Sequence, residues 1–475
     1  VIRLELSEVV AAIEGRPWGK VPTGSVGAVS TDSRTAGPDD VFFALRGPRF
    51  DGHDYVVDAL RRGALAAVVE QRRAEQVADA LRQAEGPIPG GVFLIEVADT
   101  VAALGRLAAF HRRQLSAEVI AVVGSNGKTT TKAMIHHILS GRLKGRSSPK
   151  SYNNEIGVPL TLLSAESGDD YLVVEIGTNA PGEVAALAEI TQPGMAVVTC
   201  IGEEHLERLG DLHGVAAEET AVLSRLRANG FAAVNVDEPI VREYLPESGV
   251  HVATFGCCAE ADVRLDGVRY EQPWLSFRLN ERFDFRLRVP GVHNAVNAAG
   301  AVTIARRFGL DYEEAAERLT SFVLPPMRNE VVETSGVTIV NDAYNANPQS
   351  AVAAIETLEQ MPCKGQRIAV FGEMRELGEH SAELHRKVAQ RLRDGNVQRV
   401  ILVGEATGPM FEALSEGADL FGPSVERSPT VEDCLQKLAT GVRAGDVVLL
   451  KASRAVELDR LMEPLKERLG AAALI

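Results

Sequence analysis

The residues best placed to do chemistry lie in AVVGSNGKTTTKAM, positions 121–134. Gly124, Ser125, Asn126, Gly127, Lys128, Thr129 and Thr130 follow an apolar run at 119–123 and precede a helical pattern. A glycine-rich turn between a buried strand and a helix brings backbone N–H groups and the helix N-terminus up to phosphate oxygens. Lys128 would neutralise the outer phosphates of a nucleotide, and Thr129 would present its hydroxyl to Mg²⁺. The pattern implies ATP or GTP. It departs from the usual G-x-x-x-x-G-K-[ST] spacing, because Val122 stands where that spacing needs glycine.

Further polar groups cluster at strand ends. Glu175 ends an apolar run in YLVVEIGTNAPGE, which suits a Mg²⁺ ligand or a group behind one; a solvent-facing strand end is the plain alternative. His205 follows another strand in VVTCIGEEHLERLG, as a metal ligand, a phosphate partner or a satisfied surface histidine, with Glu203, Glu204 and Glu207 read as solvated. His136 and His137 read as helix surface and packing. Asn294 and Asn297, in VPGVHNAVNAAGA, share one helix face. Their amides suit a base edge, or Asn294 caps the helix. IVNDAYNANPQS sets Asn341, Asp342, Tyr344, Asn345 and Asn347 after a strand, with Asp342 suited to ribose hydroxyls. SYNNEIGVP is another Asn-rich loop.

Holding these groups together requires α/β architecture. Apolar strands are predicted at 41–45, 66–70, 92–97, 119–123, 171–176, 195–201, 231–236, 337–340, 367–371, 399–403 and 446–450. Helices are predicted at 100–114, 128–139, 214–228, 295–308, 312–321, 349–359 and 382–392. Val- and Ile-rich strands alternating with helices argue for mainly parallel sheets buried on both faces. Residues 262–290 instead alternate apolar and polar, as an antiparallel addition does. Boundaries fall near Asp99 and at Leu324-Pro325-Pro326. Residues 71–91 read as a helix and turn without a functional message.

The chain has 475 residues, enough for several domains, with 45% hydrophobic and 24% charged residues. A formal net charge of −15 argues against a nucleic-acid partner. No apolar run is long enough for membrane insertion, and the first residues lack the form of a secretory signal, so the expectation is cytoplasmic. Cys200, Cys257, Cys258, Cys363 and Cys434 form no C-x-x-C pair and are read as thiols.

GSNGKTTTKAM, SYNNEIGVPLTLL, EIGTNAPGE, the His205-Leu-Glu segment, HNAVNAAGA and NDAYNANP occur in one order along nearly the whole chain. Together they resemble the Mur ligases, ATP-dependent amide-forming enzymes of peptidoglycan synthesis. NNEIGVPLTLL, NDAYNANP, GEMRELGEHS and KASRAVEL resemble the branch that joins D-Ala-D-Ala to UDP-N-acetylmuramoyl-tripeptide through an acyl phosphate. The resemblance implies three domains: 1–98 for the UDP end of the substrate, 99–325 for ATP on a P-loop, and a Rossmann-like 326–475 that closes over ATP and binds the dipeptide. It implies Ser33, Arg34, Phe50, Gly52 and His53 at the UDP end, and Asn153, Asn154, Thr178 and Asn179 at the muramoyl peptide. Asn294, Asn297, Arg328, Asp342 and Asn345 would join the P-loop on ATP, with Lys128, Glu175, His205, Glu219 and Arg328 serving catalysis. Thr129, Glu175, His205 and Glu219 would serve Mg²⁺, in a monomer.

One departure stands out. The family carries a carbamylated lysine in the helix after the His-Leu-Glu segment, and that position falls on Glu219 of GVAAEETAVLSRL. No lysine lies between Lys150 and Lys364. Glu219 is expected to supply the carboxylate directly; a nucleotide-binding pseudoenzyme is the rival reading. Cys200 and Ala180 stand where the family more often has Asn and His. A sister ligase that adds one amino acid is the other alternative.

Overall fold

The computed structural model describes residues 4–86, 88, 91–416 and 422–472. It is an α/β chain with three main sheets. The largest has nine strands in the order Phe283–Leu287, Trp274–Leu279, Val263–Glu271, Val250–Gly256, Gly230–Asn235, Met195–Val198, Glu118–Val123, Tyr171–Glu175 and Gly145–Ser147. Pairing is parallel from Gly145–Ser147 across to Val263–Glu271, and the last two strands are antiparallel, as the alternating pattern of 262–290 implies. The period of two explains why the sheet is buried on both sides. Val119, Ala121 and Val123 pack into one apolar core, while Ile120 and Val122 pack into the other. Val122 is thus a core residue of the P-loop strand.

A five-stranded sheet near the N-terminus runs Arg16–Pro17, Leu94–Val97, Ala66–Glu70, Asp40–Phe43, Ala28–Ser30. A six-stranded C-terminal sheet runs Glu330–Thr334, Val337–Asp342, Val447–Lys451, Arg367–Gly372, Arg399–Val403, Ser424–Ser428, antiparallel only at its first pair. Helix Thr100–Arg112 packs on helices Gly157–Leu163 and Glu183–Thr191 of the central layer.

Differences from expectation have local causes. The strand expected over 195–201 stops at Val198, because the Thr199 hydroxyl turns to the carbonyls of Val123 and Asn126. The helix expected over 214–228 begins earlier, at Leu212, where the Asp211 carboxylate accepts from Gly214 N, and runs to Thr220 before tightening into a 3₁₀ turn over Ala221–Arg225. Strands Gly145–Ser147 and Ser424–Ser428 lie at sheet edges and carry little apolar signal.

The P-loop strand lies between Tyr171–Glu175 on one side and Met195–Val198 on the other. Chain order therefore reverses direction at this strand, and in such sheets ligands bind outside the carboxyl ends at the reversal. Gly124, Glu175 and Thr199 all emerge there.

Candidate active site

The two glycines of the loop are required by contact as well as by torsion. Gly124 has φ +118°, and a Cβ on it would lie 2.3 Å from Thr199 Oγ1. Gly127 has φ +82° at the N-cap of helix Lys128–Leu139, and a Cβ there would lie 2.2 Å from Asn297 Oδ1. Asn297 accepts from Thr131 Oγ1 at 3.3 Å and donates to Asn294 Oδ1 at 3.1 Å; Asn294 donates to Pro290 O at 2.8 Å. The pair therefore braces the loop with bonds to each other, and Asn294 sits inside the helix, whose cap is Val292. Ser125 N donates to Cys200 O and Asn126 N to Cys200 Sγ, at 2.9 and 3.2 Å. Burial pushes the Cys200 thiol up to about 12, so it stays protonated in support of the loop.

Around the loop, buried carboxylates alternate with buried ammonium groups. Glu175 Oε1 accepts from Thr129 Oγ1 and Asn153 Nδ2, both at 3.1 Å, while Lys132 Nζ stands 2.9 Å from Oε2. Lys128 bonds back to Gly124 O and lies 3.9 and 3.8 Å from Glu204 and Glu219. Burial works against its charge, but Glu204, Glu219 and Glu175 outweigh that and raise its pKa. Glu219 is fully buried, and Oε2 accepts from Gly124 N at 2.6 Å. Burial beside Glu204 pushes its carboxyl up to about 7, against the pull of Lys128. Glu204, expected to be solvated, is 5% exposed, because the turn after Ile201 folds it toward Lys128. Glu203 and Glu207 are on the surface side, Glu203 pairing with Lys387.

The C-terminal sheet faces this loop. Arg328 donates to Thr129 Oγ1 at 3.0 Å and its guanidinium lies over the Tyr344 ring. Asp342 and Lys451 are register neighbours; Lys451 Nζ donates to Asp342 Oδ2 at 2.6 Å and to Asn345 O at 2.8 Å, and Asn329 N donates to Asp342 Oδ1. The Asp342 carboxylate is thus already engaged. His205 Nδ1 pairs with Glu376 at 2.6 Å; burial lowers its pKa, but Glu376 and Glu204 outweigh that, for a net rise.

A cavity of about 430 Å³ joins these groups. Ser125 to Thr130, Asn153, Asn154, Glu175, Thr178, Asn179, His205, Asn294, Asn297, Arg328, Asp342 and Asn345 line it; Gly124 and Glu219 lie behind its wall. Asn154 Oδ1 caps Gly157 N, and the Thr178 hydroxyl is held by Glu218, which also accepts from Gly182 N and Val184 N. Sequence reasoning missed Lys132, Lys451, Glu204 and Glu218. A charged residue at a helix or strand position was the only signal for Lys132, Glu218 and Lys451, and Glu204 in its loop gave none.

The five residues expected at the UDP end do not line this cavity. Phe50 is 70% exposed. Gly52 packs against the Leu45 backbone, and Arg34 forks onto Asp32, holding that carboxyl down to about 2. His53 is buried, with Nδ1 on Asp51 and Nε2 accepting from Glu70 N, so both ring nitrogens are spent inside the domain.

Mg²⁺ prefers oxygen donors, with one or two carboxylates and the rest from water and substrate phosphates. Thr129 and Glu175 adjoin and fit that set, with Glu175 Oε2 buried and facing the Lys132 ammonium at 2.9 Å. His205 is turned to Glu376 and Glu219 to Gly124, and no three His, Cys, Asp or Glu side chains form a metal cluster among the described residues. The expected four-residue set is therefore not assembled as one cluster.

A P-loop at a sheet reversal, lined by buried carboxylates and overhung by a second α/β domain, defines a nucleotide-dependent transferase or ligase class. Three family models match in sequence: Mur ligase family, catalytic domain at 25–112; Mur ligase middle domain at 122–305; and Mur ligase, glutamate ligase domain at 327–454. The UDP-N-acetylmuramoyl-tripeptide–D-alanyl-D-alanine ligase of Bacillus subtilis is 32% identical over 92% of this chain and 93% of its own. Among solved structures, MurF from Acinetobacter baumannii superposes with TM-score 0.85 at 28% identity, covering 98% and 99% of the two chains. MurF ligase from Thermotoga maritima in complex with ADP gives 0.79 at 29%, covering 94% and 98%. The chain belongs to the Mur ligase family.

Proposed function

We propose that this chain joins D-alanyl-D-alanine to the C-terminal carboxylate of UDP-N-acetylmuramoyl-tripeptide, converting ATP to ADP and phosphate in peptidoglycan precursor synthesis. The near full-length likeness to ligases of that name carries the reading. The ordered P-loop facing Glu175 and Arg328 supports it.

A carboxylate is a poor electrophile. Its oxygen attacks the γ-phosphorus of ATP, ADP departs, and the acyl phosphate so formed carries a good leaving group. The dipeptide amine, having lost its ammonium proton, attacks the carbonyl carbon; the tetrahedral intermediate gives up a second N–H proton and breaks its C–O bond, releasing phosphate and leaving the amide. Catalysis is mainly positioning and charge neutralisation. Lys128 offsets charge on the transferred group, and Arg328 brings a second cation from residues 326–475. Asn153 and Lys132 orient Glu175. Thr129 and Glu175 would hold Mg²⁺, which when bound shields the phosphates. Glu219 supplies a fixed carboxylate beneath Gly124 and Lys128, at the position where the family resemblance implies a carbamylated lysine. Residues 1–98 hold the UDP end and 99–325 hold ATP. No helix among the described residues is long and apolar enough to cross a membrane, and the reading places a monomer in the cytoplasm. The test is phosphate release from ATP: it should require both the UDP-tripeptide and the dipeptide. Release with a single free amino acid instead would make the chain a sister ligase.

A further inference from the structure

A second cavity, of about 340 Å³, is lined by Asn179, His205, Glu207, Arg208 and Glu376. Asn179 and His205 also line the nucleotide cavity, so the two spaces meet there. Its size falls in the range of small-molecule sites, roughly 300–1,000 Å³. Its walls come from both sides of the domain boundary. The short helix Leu206–Leu209 supplies one side, and the loop after strand Arg367–Gly372 supplies the other. Glu207 N donates to Glu376 O at 3.3 Å, and a Cβ on Gly378 would lie 3.1 Å from Glu207 Cα, so the two walls are in contact.

The charges in this cavity are unequally spent. His205 and Glu376 face each other at 2.6 Å and neutralise one another. The Arg208 guanidinium makes no hydrogen bond or close ion pair among the described residues, and it is on the exposed side of its helix. A guanidinium presents a planar fork that matches a carboxylate in a bidentate fashion. The Asn179 side chain, at the junction, offers an amide oxygen to an amine.

We propose that this second cavity seats the amine substrate, a zwitterionic dipeptide. Its carboxylate lies on Arg208, and its amino end lies at Asn179 and His205, where the cavity opens onto the nucleotide. The proposal rests on the ligase reading above and adds the residue that selects for a free terminal carboxylate. The reaction is the one already written; Arg208 binds and orients the nucleophile. A dipeptide ending in a carboxamide keeps the amine and loses the charge that Arg208 reads.

The test compares D-alanyl-D-alanine with D-alanyl-D-alaninamide in phosphate release by the full chain. The unmodified protein should show a KM for the carboxamide about tenfold or more above that for the dipeptide, the size expected for one hydrogen-bonded charge. Arg208→Gln should raise the KM for the dipeptide until the two amines are nearly equal, with the KM for ATP unchanged, and Arg208→Lys should restore part of the difference. An unchanged preference for the dipeptide in Arg208→Gln overturns the assignment. Phosphate release with neither amine overturns the ligase reading, and this proposal with it.

Discussion

The side-chain amides of Asn126 and Asn347 bond each other in both directions across the boundary between the P-loop and the C-terminal sheet. Asn347 Nδ2 donates to Asn126 Oδ1 at 3.0 Å, and Asn126 Nδ2 donates to Asn347 Oδ1 at 3.3 Å and to Gln349 Oε1 at 2.9 Å. Asn347 is also the N-cap of helix Pro348–Gln360, accepting from Ser350 N at 2.8 Å. One residue therefore starts a helix and ties that helix to the phosphate loop. Asn347→Ala should lose about 1 kcal/mol of stability through the cap and also weaken ATP binding. Asn347→Asp keeps the cap but not the donor, so it should keep the stability and still weaken ATP. Urea unfolding and nucleotide titration separate the two effects.

Lys132 and Glu175 form a buried pair, with side chains 4% and 1% exposed. Removing one partner of such a pair strands the other charge in a medium that cannot solvate it. Lys132→Met should cost about 3–5 kcal/mol, read as a lowered midpoint in denaturant. Lys132→Met with Glu175→Gln should recover most of that stability without recovering activity.

His293 is half-buried, bonded to Asn329 at 3.1 Å and within the field of Asp342 and Lys451, and loss of solvent around its ring pushes its pKa down to about 4. An unfolded histidine takes its proton near 6.5. Between those values the unfolded chain binds a proton that the folded chain refuses, so stability is full above about pH 6.5 and falls as pH falls toward about 4. The loss amounts to about 3 kcal/mol at most. His293→Gln should flatten the pH dependence of unfolding free energy between about pH 6.5 and 5; an unchanged slope there would assign the effect to other groups.

Glu219 falls where the family resemblance implies a carbamylated lysine, and it brings a carboxylate there without CO₂. Activity in CO₂-stripped buffer should equal that with added bicarbonate, and Glu219→Gln, which keeps an acceptor for Gly124 N but loses the charge, should be much slower. Strict dependence on bicarbonate, or full activity in Glu219→Ala, would remove Glu219 from the account.

Much of this site was legible because its signals are local. The glycines at 124 and 127, the apolar run before them and the carboxylate at the end of Tyr171–Glu175 each announce themselves within a few residues. The α/β alternation and the antiparallel tail of the central sheet follow from side-chain period. What was not legible depends on pairing between distant segments. Lys451 meets Asp342 only because their strands are register neighbours, 109 positions apart in sequence. Glu204 looks solvated in a run of glutamates, and only the fold brings Lys128 beside it. Asn294 and Asn297 share a face as expected, yet their amides are spent bracing Gly127 and Pro290 O. The motif around His53 says nothing of the hydrogen-bond chain that its ring nitrogens close from Asp51 to Glu70.

The central claim is that ATP activates the peptide carboxylate as an acyl phosphate before the dipeptide amine attacks. Tripeptide substrate carrying a heavy-oxygen label in its terminal carboxylate tests this directly. Mass spectrometry of the released phosphate should find one labelled oxygen for each amide formed. Phosphate that is free of label while amide accumulates would contradict the account.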